Sequence, residues 1–331
     1  MWEVLETARC VAKESRQVRI NSQALVHFSR KVLADRIEVP RWDCHFHFCG
    51  SGEDTVSYLL VLDSINFCFW PMPGKAKWKI EHESRDVSGY YALAASLKQA
   101  VGSGVPITNA EHLAALTFGG LKQLLGEQAG QQKRAHSPQL QLQLMERRLQ
   151  ILNELGQVLL DEFDGQAFKL VETAKKSAAE LVRLLAEKLP SFRDVAQYMG
   201  HEVFFFKRAQ IFAGDLYGAF DGKDWGSFDD IHKLTAFADY KLPQVLRHLG
   251  ILHYVQTLAQ KVDQKVFLEA GSAEEVEIRA NTIWAVELIR RELERMGKEL
   301  RAFEIDWILW NLGQDSEFRA RPYHRTLTIF Y

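Results

Sequence analysis

Five short stretches of this chain hold residue types that can do chemistry together. In Leu234–Gln244, Asp239 sits between the aromatic rings of Phe237 and Tyr240, just ahead of Pro243. Rings flanking a carboxylate suit a flat, nitrogen-rich ligand such as a nucleobase, because the rings stack and the acid accepts N–H bonds. The same residues also fit a core segment beside a helix cap. A second stretch is Glu304-Ile305-Asp306-Trp307, two acids among tryptophans. Residues two apart on a helix do not share a face, so at most one acid enters a given pocket. Glu304 suits a helix N-terminus, where a carboxylate meets the dipole. Asp306, held beside apolar rings, is the acid whose basicity can be tuned for catalysis.

Lys207 and Arg208 lie in an apolar stretch that runs from Phe204 to Asp215. Buried cations are costly unless they meet anions. Asp215 is one candidate partner, and a bound phosphate facing the Lys207 point charge is the other. Asp63 and Asn66 lie in the apolar run Leu62–Trp70 and need hydrogen-bond partners if buried. Asp63 reads as a cap holding a turn, and Trp70 as a pocket wall. The fifth stretch is His45-Phe46-His47. On a strand both imidazoles face the same side and converge on one ligand. A metal-dependent hydrolase would need further ligands at the strand ends of a barrel, which the long helical second half opposes.

The elements that must position these residues are mostly helical. Periodicity predicts two helices over 1–37 and helical segments over 89–125, broken near 102–106. It predicts further helices over 141–161, 164–187, 191–214, 227–235, 241–259 and 273–313, with a break near 302. Residues 41–81 differ. Phe67–Trp70 reads as an extended run ended by Pro71–Gly74, with Trp78–Glu83 as its hairpin partner. The alternating residues 323–331 are placed to close a small sheet with that region. The polar stretch 126–140 is expected to be a mobile loop. The fold class expected is mainly α with a small β element, in a single domain spanning 1–331.

Lysine and arginine number 41 against 43 acids among 331 residues, a net charge of −2. That balance offers no global attraction to a nucleic-acid backbone or an anionic membrane. No apolar run reaches the roughly 18 residues of a membrane span. Cys10, Cys44, Cys49 and Cys68 form no CxxC pair. They read as reduced residues of a cytoplasmic protein, without a thiolate zinc site.

The segments LDSINFCFW, FFFKRAQIFAGDLYGAF, LTAFADYKLPQVLRHLGIL, EVEIRANTIWAVELIRRELE, EIDWILWNLGQ and PYHRTLTIFY occur here in this order. Together they resemble the queuosine salvage protein family, the queuosine 5′-phosphate N-glycosidases, from about residue 20 onward. The resemblance implies a fold similar to helix–hairpin–helix DNA glycosylases. It implies release of the base queuine from queuosine 5′-monophosphate, for reuse in tRNA modification. The family's base-binding Phe-x-Asp-Tyr matches Phe237, Asp239 and Tyr240, and its catalytic acid matches Asp306. Its base-contacting histidine matches His47 by spacing to Asp63, with His45 one strand-face step away. Lys207 is expected to pair with the 5′-phosphate. The reading calls for no cofactor, no metal and no direct nucleic-acid partner. Two other classes stay open: a metal-dependent hydrolase using His45 and His47, and a non-catalytic nucleoside- or RNA-binding module.

Overall fold

The helix Ala273–Arg295 is buried along most of its length, and its apolar residues serve two cores. Its Val276, Ala280 and Ile283 pack into a larger core with the helices Trp2–Glu14, Gly52–Ser64, Tyr90–Gly102 and Lys207–Ala219. Its Ile278, Ala285, Val286 and Ile289 join a second core with the helices Ser22–Ala34, Lys241–His248 and Ala302–Leu312. The computed structural model describes residues 2–126 and 142–331. Except for Gly126, the stretch expected to be a mobile loop lies outside the described residues. Among the described residues the chain is mainly helical, with three two-stranded antiparallel sheets.

The sheets differ from the expected one. Lys79–His82 pairs with Arg85–Ser88, so the partner of Trp78–Glu83 is not Phe67–Trp70. The connection is a two-residue turn in which Glu83 and Ser84 both have positive φ (48° and 62°), the geometry that matches strand twist in tight hairpins. Within 191–214, expected to be one helix, Val195–Tyr198 and His201–Phe204 form a hairpin through Met199 and Gly200. Val18–Ile20 pairs with Leu252–Tyr254. Residues 323–331 do not form a sheet with 41–81. Their contacts include an isolated bridge between Arg325 and Phe267, and a Cys68 N–H donated to the Tyr331 carbonyl at 3.0 Å.

The helix Gly52–Ser64 occupies part of the region expected to be extended. Every residue from Thr55 to Ser64 except Ser57 is buried. That leaves little periodic signal to tell a buried helix from a buried strand. After it the backbone runs irregularly through the core from Ile65 to Trp70. Such a stretch leaves carbonyls that must find donors. Two buried arginines supply them. Arg148 donates to the Ile65 and Phe67 carbonyls, with its guanidinium 4.1 Å from the Phe67 ring centre. Arg208 donates to the carbonyls of Ser64 and Ser191. Arg208 is thus a structural donor to backbone, not a partner for Asp215 or a phosphate.

The expectation of four reduced cysteines is corrected for two of them. Cys44 and Cys49 are joined in a disulfide, while Cys10 and Cys68 are free.

Candidate active site

A cavity of about 1000 Å³ gathers Phe237, Asp239, Tyr240, Asp306, Lys207 and His47 along its walls. All of the site residues expected from sequence therefore face one space. Each is held there by a different local device.

Asp306 lies in the helix Ala302–Leu312 and is buried. Glu304 turns the other way: its carboxylate accepts the Arg301 backbone N–H at 2.7 Å, capping the helix. Asp306 Oδ2 accepts the Phe237 backbone N–H at 2.7 Å. Burial raises the Asp306 carboxyl well above its ordinary range, and the charges of Asp239 and Asp215 push it further, while the Phe237 bond and Lys207 oppose them.

Asp239 Oδ1 accepts the N–H groups of Lys241 and Leu242 at 2.7 and 3.0 Å, capping the helix Lys241–His248. Burial raises its carboxyl too, and Lys207 is the largest effect opposing that. Phe237 lies against Gly214, where an added Cβ would sit 3.0 Å from the ring. The Tyr240 ring packs on Tyr323 at 4.9 Å between centroids.

Lys207 opens the helix Lys207–Ala219 and donates from Nζ to the Asn66 carbonyl at 3.3 Å. Burial lowers its proton affinity, while Asp239, Asp63 and Asp306 raise it. The preceding Phe206 is in the left-handed region (φ 48°), a costly place for a bulky side chain. The Asp194 carbonyl secures it by accepting the Phe205 and Phe206 N–H groups. The Asp194 carboxylate takes a bidentate pair from Arg279, at 2.9 and 2.5 Å. Arg279 Nε donates to the Ala238 carbonyl at 3.0 Å. One buried ion pair thus supports both Lys207 and the segment carrying Asp239.

His45 and His47 are in a turn rather than a strand, and their imidazoles do not converge. His45 faces Glu83 (3.6 Å) and His82, the candidate metal-type donor group among the described residues. His47 is buried, with Nδ1 2.7 Å from the Asp43 carbonyl and Nε2 2.8 Å from the Tyr90 hydroxyl. A carbonyl only accepts, so Nδ1 carries the proton and a neutral Nε2 is an acceptor. Burial lowers the His47 proton affinity, in keeping with the neutral ring.

Tyr90 also lies 3.3 Å from Asp215 Oδ2. It has one proton for two neighbours. When it donates to His47, the bond to Asp215 requires that the acid bring its own proton. Burial pushes the Asp215 carboxyl up to about 7, which favours the protonated acid that this arrangement requires. Asp215 therefore meets Tyr90 rather than forming the ion pair expected with Lys207 or Arg208. Asp63, expected as a cap holding a turn, is fully buried; burial and the Asp215 charge hold its carboxyl well above the ordinary range.

Sequence reasoning did not name Tyr90, Asp194, Arg148 or Arg279. Tyr90 carries no motif. Arg279 and Arg148 had one available signal, a cation within an apolar helical pattern.

The queuosine salvage protein family model matches residues 46–331. The queuosine 5′-phosphate N-glycosylase/hydrolase of Sphaerobacter thermophilus is 44% identical over 328 residues, covering 99% of this chain and 97% of that protein. The proteins of the same name from Dictyostelium discoideum and Bos taurus are 37% and 33% identical, each covering at least 98% of both chains. The chain belongs to the queuosine salvage protein family.

Proposed function

We propose that this protein hydrolyses the N-glycosidic bond of queuosine 5′-phosphate and releases queuine. The observation that carries this reading is the charge at the buried end of the cavity. Asp215, Asp239 and Asp306 line it, and Lys207 is the one cation among them. Cleavage of a glycosidic bond builds positive charge on the ribose at C1′. A site with fixed, poorly solvated carboxylates favours that charge where it develops.

In this mechanism Asp306 stabilises the oxocarbenium-like ribose or attacks C1′ to give a covalent intermediate. Water supplies the hydroxyl that ends on C1′, and its proton passes by way of a carboxylate to the base nitrogen that took the electron pair of the broken bond. The leaving base has carbon where a purine carries N7, so protonation at that position is closed. The departing base must be stabilised through its other heteroatoms. Asp239 accepts from its N–H edge or its cationic aminomethyl group, and Phe237 and Tyr240 pack its ring. Both His47 nitrogens are already bonded, so His47 acts by orienting Tyr90 and presenting its ring to the ligand.

The same reading includes an architecture similar to helix–hairpin–helix DNA glycosylases, supported by the mainly helical fold and an acid on a helix facing a base pocket. It also includes queuine as the product returned to tRNA modification in the cytoplasm.

The test is incubation with queuosine 5′-phosphate and detection of free queuine by mass spectrometry. Release is expected. Tight binding without release would instead favour a non-catalytic nucleoside-binding module. Loss of release with a chelator, restored by a metal, would favour a metal hydrolase.

A further inference from the structure

The cavity is lined by both acids and cations. Its buried end holds the carboxylates just described. Besides Lys207, five cations line the cavity, Arg41, Lys77, Arg85, Lys241 and Arg319, and three of these act on one another: Lys77, Lys241 and Arg319. They come from three separate segments, the loop before Lys79–His82, the start of Lys241–His248 and the end of Ser316–Arg319.

None of the three has a carboxylate within ion-pair distance among the described residues. Lys241 Nζ donates to the Gly313 carbonyl at 3.0 Å and Arg319 Nη2 to Gln314 at 3.1 Å, both neutral acceptors. Lys77 Nζ lies 3.8 Å from where a Cβ on Gly89 would sit. Gly89 precedes the helix Tyr90–Gly102, lines the cavity, and leaves that helix end without a side-chain cap. The cations also act on one another. Arg319 lowers the proton affinity of both lysines, and Lys77 lowers that of Lys241, which burial and these charges bring to about 8 despite the opposing Asp239. Like charges held together without a counter-ion are a standing cost that an anion relieves.

We propose that Lys77, Lys241 and Arg319 form the binding site for the 5′-phosphate monoester of the nucleotide. Lys207, the partner expected from sequence, is poorly placed for it. A dianion beside Lys207 would face Asp215, Asp239 and Asp306 in a buried setting. Of the other acids that line the cavity, Asp86 is paired with Lys79 and Asp43 accepts the His45 backbone N–H. A phosphate held by the three cations thus leaves the ribose to span toward Asp306, with C1′ in the carboxylate field. The guanidinium of Arg319 can take two phosphate oxygens, and the lysines act as point charges. This inference rests on the nucleotide substrate proposed above.

The experiment compares queuosine 5′-phosphate with the unphosphorylated nucleoside on the full chain. The readout is the ratio of their kcat/KM values. Lys77 and Arg319 are exposed, so Lys77→Gln and Arg319→Gln test binding without disturbing the core. Each is expected to lower the ratio by roughly 10- to 100-fold, the loss of a charge-assisted contact. Lys77→Arg, which keeps the charge, should retain most of it. Inorganic phosphate should inhibit the wild type competitively and the variants less. A ratio unchanged in both Gln variants would overturn the site. Equal losses on both substrates would overturn it as well, because a phosphate contact cannot affect the nucleoside. If the wild type released base from neither substrate, the functional reading itself would fall, an outcome distinct from either.

Discussion

Asp306 Oδ2 accepts the backbone N–H of Phe237 at 2.7 Å, across 69 residues of chain. The acid proposed to face C1′ is thereby fixed to the first residue of the proposed base wall. A short bond between a carboxylate and a backbone donor holds the two parts of the site at one separation, whatever the rest of the pocket does.

Asp306→Asn keeps an oxygen that can accept this bond but removes the negative charge. The variant is expected to remain folded and to lose on the order of 10²- to 10³-fold in kcat. Queuine release by mass spectrometry, with a melting curve beside it, checks this. Full turnover by a folded variant would remove Asp306 from the mechanism.

Asp215 makes stability depend on pH. Its carboxyl rises from an ordinary 3.8 to about 7 on burial. Between those values the native state binds more protons than the unfolded chain, so stability falls as pH rises through that window. Asp215→Asn cannot ionise. Its melting temperature should vary less with pH across the window and exceed that of the wild type above pH 7. Parallel curves would show that Asp215 does not carry the effect.

Arg279 and Asp194 form a buried bidentate pair, and breaking one side leaves an uncompensated charge. Arg279→Leu is expected to cost about 3 to 5 kcal/mol of stability. The double variant with Asp194→Leu should recover part of that loss, because the unpaired Asp194 charge is gone, while Glu275, which Arg279 also meets at 3.4 Å, still loses its partner. Denaturant melts of the two single variants and the double form the cycle. Additive losses would mean the pair is not coupled.

Gly156 marks the contact between the helices Met145–Phe163 and Ala110–Ala114. A Cβ there would lie 2.3 Å from the Ala114 nitrogen and 2.6 Å from the Ala110 carbonyl oxygen. Backbone atoms cannot swing aside, so Gly156→Ala should cost about 1 to 3 kcal/mol or more. A melting temperature equal to the wild type would contradict the packing described.

Asp239→Ala removes the acceptor for the Lys241 and Leu242 N–H groups as well as the proposed base contact. Lost capping alone costs about 1 kcal/mol. Queuine affinity measured by calorimetry should fall by more than that cost explains. Unchanged affinity would confine Asp239 to capping.

Much of this was legible in the chain. Helical periodicity found most helices, because i to i+4 bonding leaves its mark within one turn of sequence. Two-residue spacing on a helix separated Glu304, which caps, from Asp306, which enters the cavity. The motif residues Phe237, Asp239, Tyr240 and Asp306 could be named because their stretches match a family pattern in order. Local rules failed at turns that carry no strong sequence signal. Trp78–Glu83 paired with its neighbour Arg85–Ser88, through a turn that lacks the usual glycine. His45 and His47 parted because they occupy a turn, where alternation does not hold.

What only the tertiary structure decided is where charges meet. Asp215, Tyr90 and His47 come from three segments, and nothing in any one of them specifies the contact. The roles of Arg148, Arg208 and Arg279 follow from which carbonyls the fold leaves unpaired. The gathering of Asp215, Asp239 and Asp306 around Lys207 arises only when distant segments close one cavity and exclude water. Residue types and order determined the available chemistry. Burial and convergence, which depend on the whole chain folding, determined which groups are charged and what they face.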